Sequence, residues 1–239
     1  MTNCQTKKYK NSLFMGLVYA VLFIISFTAQ AKLLPFTSKY VAYYDGDDVG
    51  EAQLELNVLD DERYELNYQS SVSKFFLSDR RFETSIFTTE NGKLIPIRYE
   101  YQREGTGRNK ALIVEFDADS DKIIVNEEAR YDWNNEFDNQ LFRVDLPQRL
   151  KDGETKFDYY FINYRGERRH YQFELLGDEN VQLPYGQLSA LKVKINRESN
   201  RRVTYAWFAP DLNYSLVRLQ QFKEGKEQGD IKLSAYTRP

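Results

Sequence analysis

The sequence predicts an all-β protein built as one antiparallel domain, a barrel or a sandwich, with one short helix or irregular segment near residues 126–150. Three observations predict it. Runs of alternating polar and apolar residues recur after residue 31, and they are separated by breaks rich in Gly, Asn and Asp. No segment there sustains a 3.6-residue apolar period over a long helix. Aromatic residues make up 15% of the chain, with 18 tyrosines and 16 phenylalanines. Rings of that size favour a pleated surface, where they pack across neighbouring strands.

The first segment, Met1 to Ala31, reads as a secretory leader. Lys7, Lys8 and Lys10 give a basic start, and Ser12 to Phe27 is densely apolar. Thr28-Ala29-Gln30-Ala31 then offers small residues for a cut after Ala31. The competing reading is an uncleaved anchor, because Leu13 to Phe27 approaches the shortest spanning helix. Cleavage gives a signal peptide over 1–31, a single domain over 32–239, and a periplasmic product that spans no membrane. Cys4 precedes the apolar run, so it is no lipobox cysteine. It is also the only cysteine, which leaves the mature chain without disulfide or thiol chemistry. Three lysines leave with the leader, so the net charge of −3 becomes −6. That balance argues against nucleic acid as a partner.

The mature chain then reads strand by strand. Ala52, Leu54, Leu56 and Val58 alternate with polar neighbours, as do Tyr64, Leu66 and Tyr68. Phe82, Thr84 and Ile86 extend the pattern up to Asn91-Gly92, the strongest hairpin signal in the chain. Lys93 to Arg103 and Lys110 to Phe116 pair across Glu104-Gly105-Thr106-Gly107. Asn126 to Asn139 reads as a loop over one end, with Trp133 and Phe137 beneath it. Asp138 to Leu150 is the helix candidate, interrupted by Pro147. Strands follow over Lys156 to Tyr164, Arg168 to Leu176 and Gln187 to Ile195, with turns at Arg165-Gly166-Glu167 and Gly177-Asp178-Glu179-Asn180. Val203 to Lys223 is a hairpin around Pro210-Asp211-Leu212-Asn213, apolar on both faces of its first strand, so it belongs where the core is thickest. A last strand covers Ile231 to Tyr236.

Chemistry is harder to find. His170, the only histidine, sits on the polar face of its strand with no Ser or Cys nucleophile motif beside it. Asp117, Asp119, Asp121 and Glu128 occupy calcium-loop spacing, yet Lys122 stands where glycine is needed and strands flank the string. A tight Asp/Ser turn accounts for those residues, and no metal is assigned. No spacing singles out a carboxylate pair of the glycosidase kind. Basic pairs at Arg80-Arg81, Arg168-Arg169 and Arg201-Arg202 lie near strand ends. They can ring a barrel mouth and meet an anionic headgroup, or discourage edge pairing.

The stretch Leu183-Pro184-Tyr185-Gly186-Gln187-Leu188-Ser189-Ala190-Leu191-Lys192-Val193, with Trp207-Phe208-Ala209-Pro210-Asp211-Leu212-Asn213-Tyr214, resembles the DUF3108 family of exported bacterial proteins. Tyr40-Val41-Ala42-Tyr43-Tyr44 and Val49-Gly50-Glu51-Ala52 are similar to that family's opening hairpin. The resemblance implies a lipocalin-like or YceI-like barrel, and it carries over no catalytic residue and no cofactor. The expected function is a non-enzymatic periplasmic binder or carrier of a lipid-like molecule. The alternative is an envelope structural or assembly factor acting through its surface. A carrier would line its interior with one face of several strands, giving an apolar wall that includes Tyr68, Ile86, Tyr99, Phe173, Val193, Tyr205 and Trp207.

Overall fold

The structure is a computed structural model that describes residues 32–60, 62–197 and 201–238; the predicted leader, 1–31, lies outside the described residues. Among the described residues fifteen strands form one sheet. The first eight are β1 (Phe36–Tyr44), β2 (Asp47–Val58), β3 (Arg63–Lys74), β4 (Leu77–Glu90), β5 (Lys93–Gly105), β6 (Lys110–Asp117), β7 (Lys122–Val125) and β8 (Ala129–Asp132). A two-residue β9 (Phe137–Asp138) leads into the helix α1 (Phe142–Lys151). Then come β10 (Lys156–Ile162), β11 (Arg168–Leu183), β12 (Gly186–Arg197), β13 (Arg202–Ala209), β14 (Ser215–Lys223) and β15 (Lys226–Thr237).

The predicted all-β, mostly antiparallel architecture is what the chain forms. Spatial order runs β8 to β1, then β15 down to β9, and every ladder except β9–β10 is antiparallel. No ladder joins the edge strands β8 and β9, so the hydrogen-bonded sheet is not closed. The region is bridged by side chains instead. Ile162 and Tyr164 pack with Tyr99, Tyr101, Leu112 and Val114, and Arg168 reaches Glu136 at 2.9 Å. The α1 helix buries Phe142, Leu146 and Leu150 against Phe157, Phe161, Phe173 and Val193.

Turn chemistry follows the sequence closely in most places. Asn91 and Gly92 both have positive φ, at 50° and 79°, as a two-residue hairpin requires. The β13–β14 connection is a 3₁₀ turn over Pro210–Leu212, closed by Asn213 at φ 53°. The β3–β4 turn differs. Phe75 takes φ 56°, a conformation that suits Gly or Asn, and Phe75 and Phe76 are 91% and 97% exposed.

Three sequence expectations need correction. Gly177-Asp178-Glu179-Asn180 is no turn: β11 continues to Leu183, with a bulge at Leu175/Gly177 that absorbs the glycine, and Val181 and Leu183 are buried beyond it. Asn126 to Asn139 contains the short strands β8 and β9. In β4 the inward face is Glu83, Ser85 and Phe87, so Ile86 points the other way and is only half-buried. The alternation there was legible, but its phase was inverted because the interior at this level is polar.

Candidate functional site

The sheet curves around an open cavity of about 1010 Å³. It lies toward the end that carries the β1–β2, β3–β4 and β5–β6 turns, where Tyr44, Lys74, Leu77 and Thr106 line it. One part of the wall is aromatic and apolar, formed by Phe142, Phe161, Tyr171, Phe173 and Ile195. Phe142 meets Phe173 edge-on at 5.2 Å, and Phe161 meets Tyr171 at 5.4 Å. The rest is strongly polar, which departs from the apolar wall expected of a simple lipid pocket.

Most charges on that wall are neutralised locally. Asp79 accepts from Arg81 Nε at 3.0 Å and from Arg103 Nε at 2.9 Å, and the two guanidinium groups hold its carboxyl below its usual range against the opposing effect of burial. Glu167 pairs with Arg169 at 2.5 Å, and Lys74 with Asp47 at 3.1 Å. Asp230 is held by Arg218 at 2.7 Å. Arg143 and Arg197 differ from these. Arg143 lies over the rings of Phe142 and Tyr68, at 4.9 and 5.2 Å, and its one polar partner among the described residues is the Gln140 side-chain oxygen. Arg197 lies over Tyr171 at 5.2 Å, and its one polar contact among the described residues is a long 3.4 Å approach to Thr204 Oγ1. Both Nε atoms are buried without an acceptor. Burial, reinforced by the nearby charge of Arg202, pulls Arg197 below the usual guanidinium value.

A buried polar network runs from the cavity wall at Glu83 and Gln140 to Asp138 behind it and fixes the start of α1. Glu83 accepts from Tyr99 Oη and from Gln140 Nε2, both at 2.5 Å. Asp138 Oδ1 accepts from Ser85 Oγ at 2.9 Å and from the backbone N–H groups of Gln140 and Leu141 at 2.7 and 3.2 Å. Its Oδ2 has no partner. Burial pushes the Asp138 carboxyl from an ordinary 3.8 up to about 7. A buried carboxyl with a raised value is a proton-transfer candidate in principle. Asp138 is fully buried and absent from the cavity wall, so its position is that of a tether between β4 and α1.

Of the residues named from sequence, Tyr68 and Phe173 line the cavity. Tyr99 supports Glu83 from behind, Val193 is fully buried under α1, and Tyr205 and Trp207 pack together in the largest core cluster. Each basic pair sends one member to the cavity: Arg81, Arg169 and Arg202. His170 stacks on Tyr160 and bonds Asp158 at 2.7 Å on the outer face. Asp117 accepts from Asp119 N and from Ser120 within the β6–β7 turn. Among the described residues no three His, Cys, Asp or Glu side chains converge to hold a metal. Sequence reasoning passed over Arg143 and Arg197. The available sign for Arg197 was its phase, since Val193, Ile195 and Arg197 share one face of β12.

The profile of the protein family of unknown function DUF3108 matches residues 39–232, from β1 into β15. The chain belongs to DUF3108. This DUF3108 chain is similar to a β-barrel-like DUF1849 protein from Brucella abortus, with TM-score 0.61 at 12% identity over 87% of this chain and 99% of that one. At such identity the likeness establishes the fold alone. A putative exported protein with a YmcC-like fold from Bacteroides fragilis aligns at TM-score 0.34 and 13% identity, over 86% of this chain and 97% of that one. No curated protein matches the DUF3108 chain.

Proposed function

We propose that this DUF3108 protein is a periplasmic, non-enzymatic carrier that holds a lipid-like molecule in its barrel. The observation that carries this reading is the cavity of about 1010 Å³ with one aromatic wall. Ligand sites of roughly 300–1000 Å³ combine an apolar surface with a few placed polar groups. The basic start, apolar run and Ala-Gln-Ala box of residues 1–31 support export. The polar share of the wall favours an amphiphile over a pure hydrocarbon.

The second reading is an envelope assembly factor that works through its surface. It draws on the β3–β4 tip, where Phe75, Phe76 and Leu77 stand exposed together. Native mass spectrometry of protein purified from its own periplasm separates the two. A retained mass above that of the chain from Lys32 to Pro239 is expected for the carrier. Bare protein at that mass would move the balance to the surface role, and protein still carrying Met1 in the membrane fraction would overturn export as a soluble product.

A further inference from the structure

We propose that Arg143 and Arg197 form the anion-binding part of this cavity, taking the carboxylate or phosphate head of an amphiphile whose apolar body lies on the aromatic wall. The proposal rests on the carrier reading and specifies its ligand. Charge balance is the first support. Of the carboxylates of the wall, Asp79, Glu167 and Asp230 are each paired with an arginine, and Glu83 is held by the neutral donors Tyr99 and Gln140. Among the described residues neither Arg143 nor Arg197 forms an ion pair, and neither has an acceptor for its buried Nε. A half-buried guanidinium without a counter-charge is costly to the fold, because its desolvation is not offset. An anion in the cavity would offset it.

Geometry is the second support. Each guanidinium lies over an aromatic ring, which fixes its plane and leaves its N–H edge for a planar or tetrahedral oxyanion. Both arginines adjoin the apolar wall. Arg143 adjoins Phe142, which contacts Phe173; Arg197 pairs across the ladder with Tyr171, two residues from Phe173 in β11. A molecule with an acidic head and an apolar chain satisfies both surfaces at once. Arg165 and Arg202, exposed on the lining, add a field that draws an anion inward.

The test is a titration of the mature protein with dodecanoate, dodecyl phosphate, dodecanol and inorganic phosphate, each below its micellar concentration. The wild type is compared with Arg197→Gln and Arg143→Gln, and thermal melting is recorded without ligand. The dodecyl anions are expected to bind at least about tenfold more tightly than dodecanol. Each substitution should remove most of that advantage while dodecanol binding stays the same. The ligand-free variants should melt no lower than wild type, since an uncompensated charge has been removed. Equal affinity for dodecanoate and dodecanol, or anion binding untouched in both variants, would overturn the anion site and leave the carrier reading standing. Failure of every dodecyl probe, together with bare protein in native mass spectrometry, would overturn the carrier reading itself. Inorganic phosphate binding as tightly as dodecyl phosphate would assign the arginines to a free anion and overturn the amphiphile.

Discussion

Asp138 is the residue whose chemistry most directly couples the fold to its surroundings. Inside the protein its carboxyl keeps a proton up to about pH 7, whereas in the unfolded chain it ionises near 3.8. Between those values the folded state binds the extra proton, so stability falls as pH rises and levels off above 7. A shift of this size corresponds to roughly 4 kcal/mol at the limit. Chemical denaturation at pH 5 and pH 8 should show the protein stronger at pH 5, and Asp138→Asn should flatten the difference. A pH-independent midpoint would mean that the buried carboxyl finds a charge partner. Position 138 was visible in the sequence only as the start of a helix candidate. Its burial depends on Ser85 and on the backbone of residues 140 and 141, which local spacing cannot foretell.

Elements with an apolar interior face were readable from alternation, and the polar interior stretch of β4 was not. Ala52, Leu54 and Leu56 of β2 are all buried as the period of two requires. In β4 the same rule put Ile86 inside, but Glu83 and Ser85 occupy that side because they meet Tyr99, Gln140 and Asp138. The turn between β3 and β4 breaks a different rule. Phe75 holds a left-handed backbone that costs a residue with a Cβ about 1–2 kcal/mol. The tip is pinned by Thr106, whose backbone N–H donates to Ser78 O at 2.8 Å and whose hydroxyl accepts from Ser78 N at 3.0 Å. Phe75→Gly should therefore stabilise the protein by up to about 1 kcal/mol, because little packing is lost from a side chain so exposed. Urea unfolding measures it, and a clear loss of stability would show that the ring packs against the molecule in solution.

At the scale of the whole molecule, one ladder unites two half-sheets. The strands β1 to β8 form one meander and β10 to β15 another, with β9 added parallel to β10, and β1–β15 is the only strand ladder between the two halves among the described residues. Val41 lies inside that link, opposite Lys232 on one side and Glu51 on the other. Val41→Pro removes a backbone donor from a central strand and should cost about 3 kcal/mol or more. If the halves are cooperative through this ladder, a single unfolding transition moves to lower urea as a whole. A variant in which one half melts early while the other keeps its wild-type midpoint would show that each half unfolds as a unit of its own.

The same arrangement sets an order of assembly. Strands that are neighbours in the sheet are neighbours along the chain everywhere except at β1 and β15, where Thr37 meets Thr237. Each hairpin closes a short loop at small entropic cost, so β1 to β8 can zip together while the later strands are still unfolded. β1 must then wait with one edge unpaired until the last strand arrives. That places the interval of greatest risk of wrong pairing at the end of folding, and makes β15 the clasp that ends it.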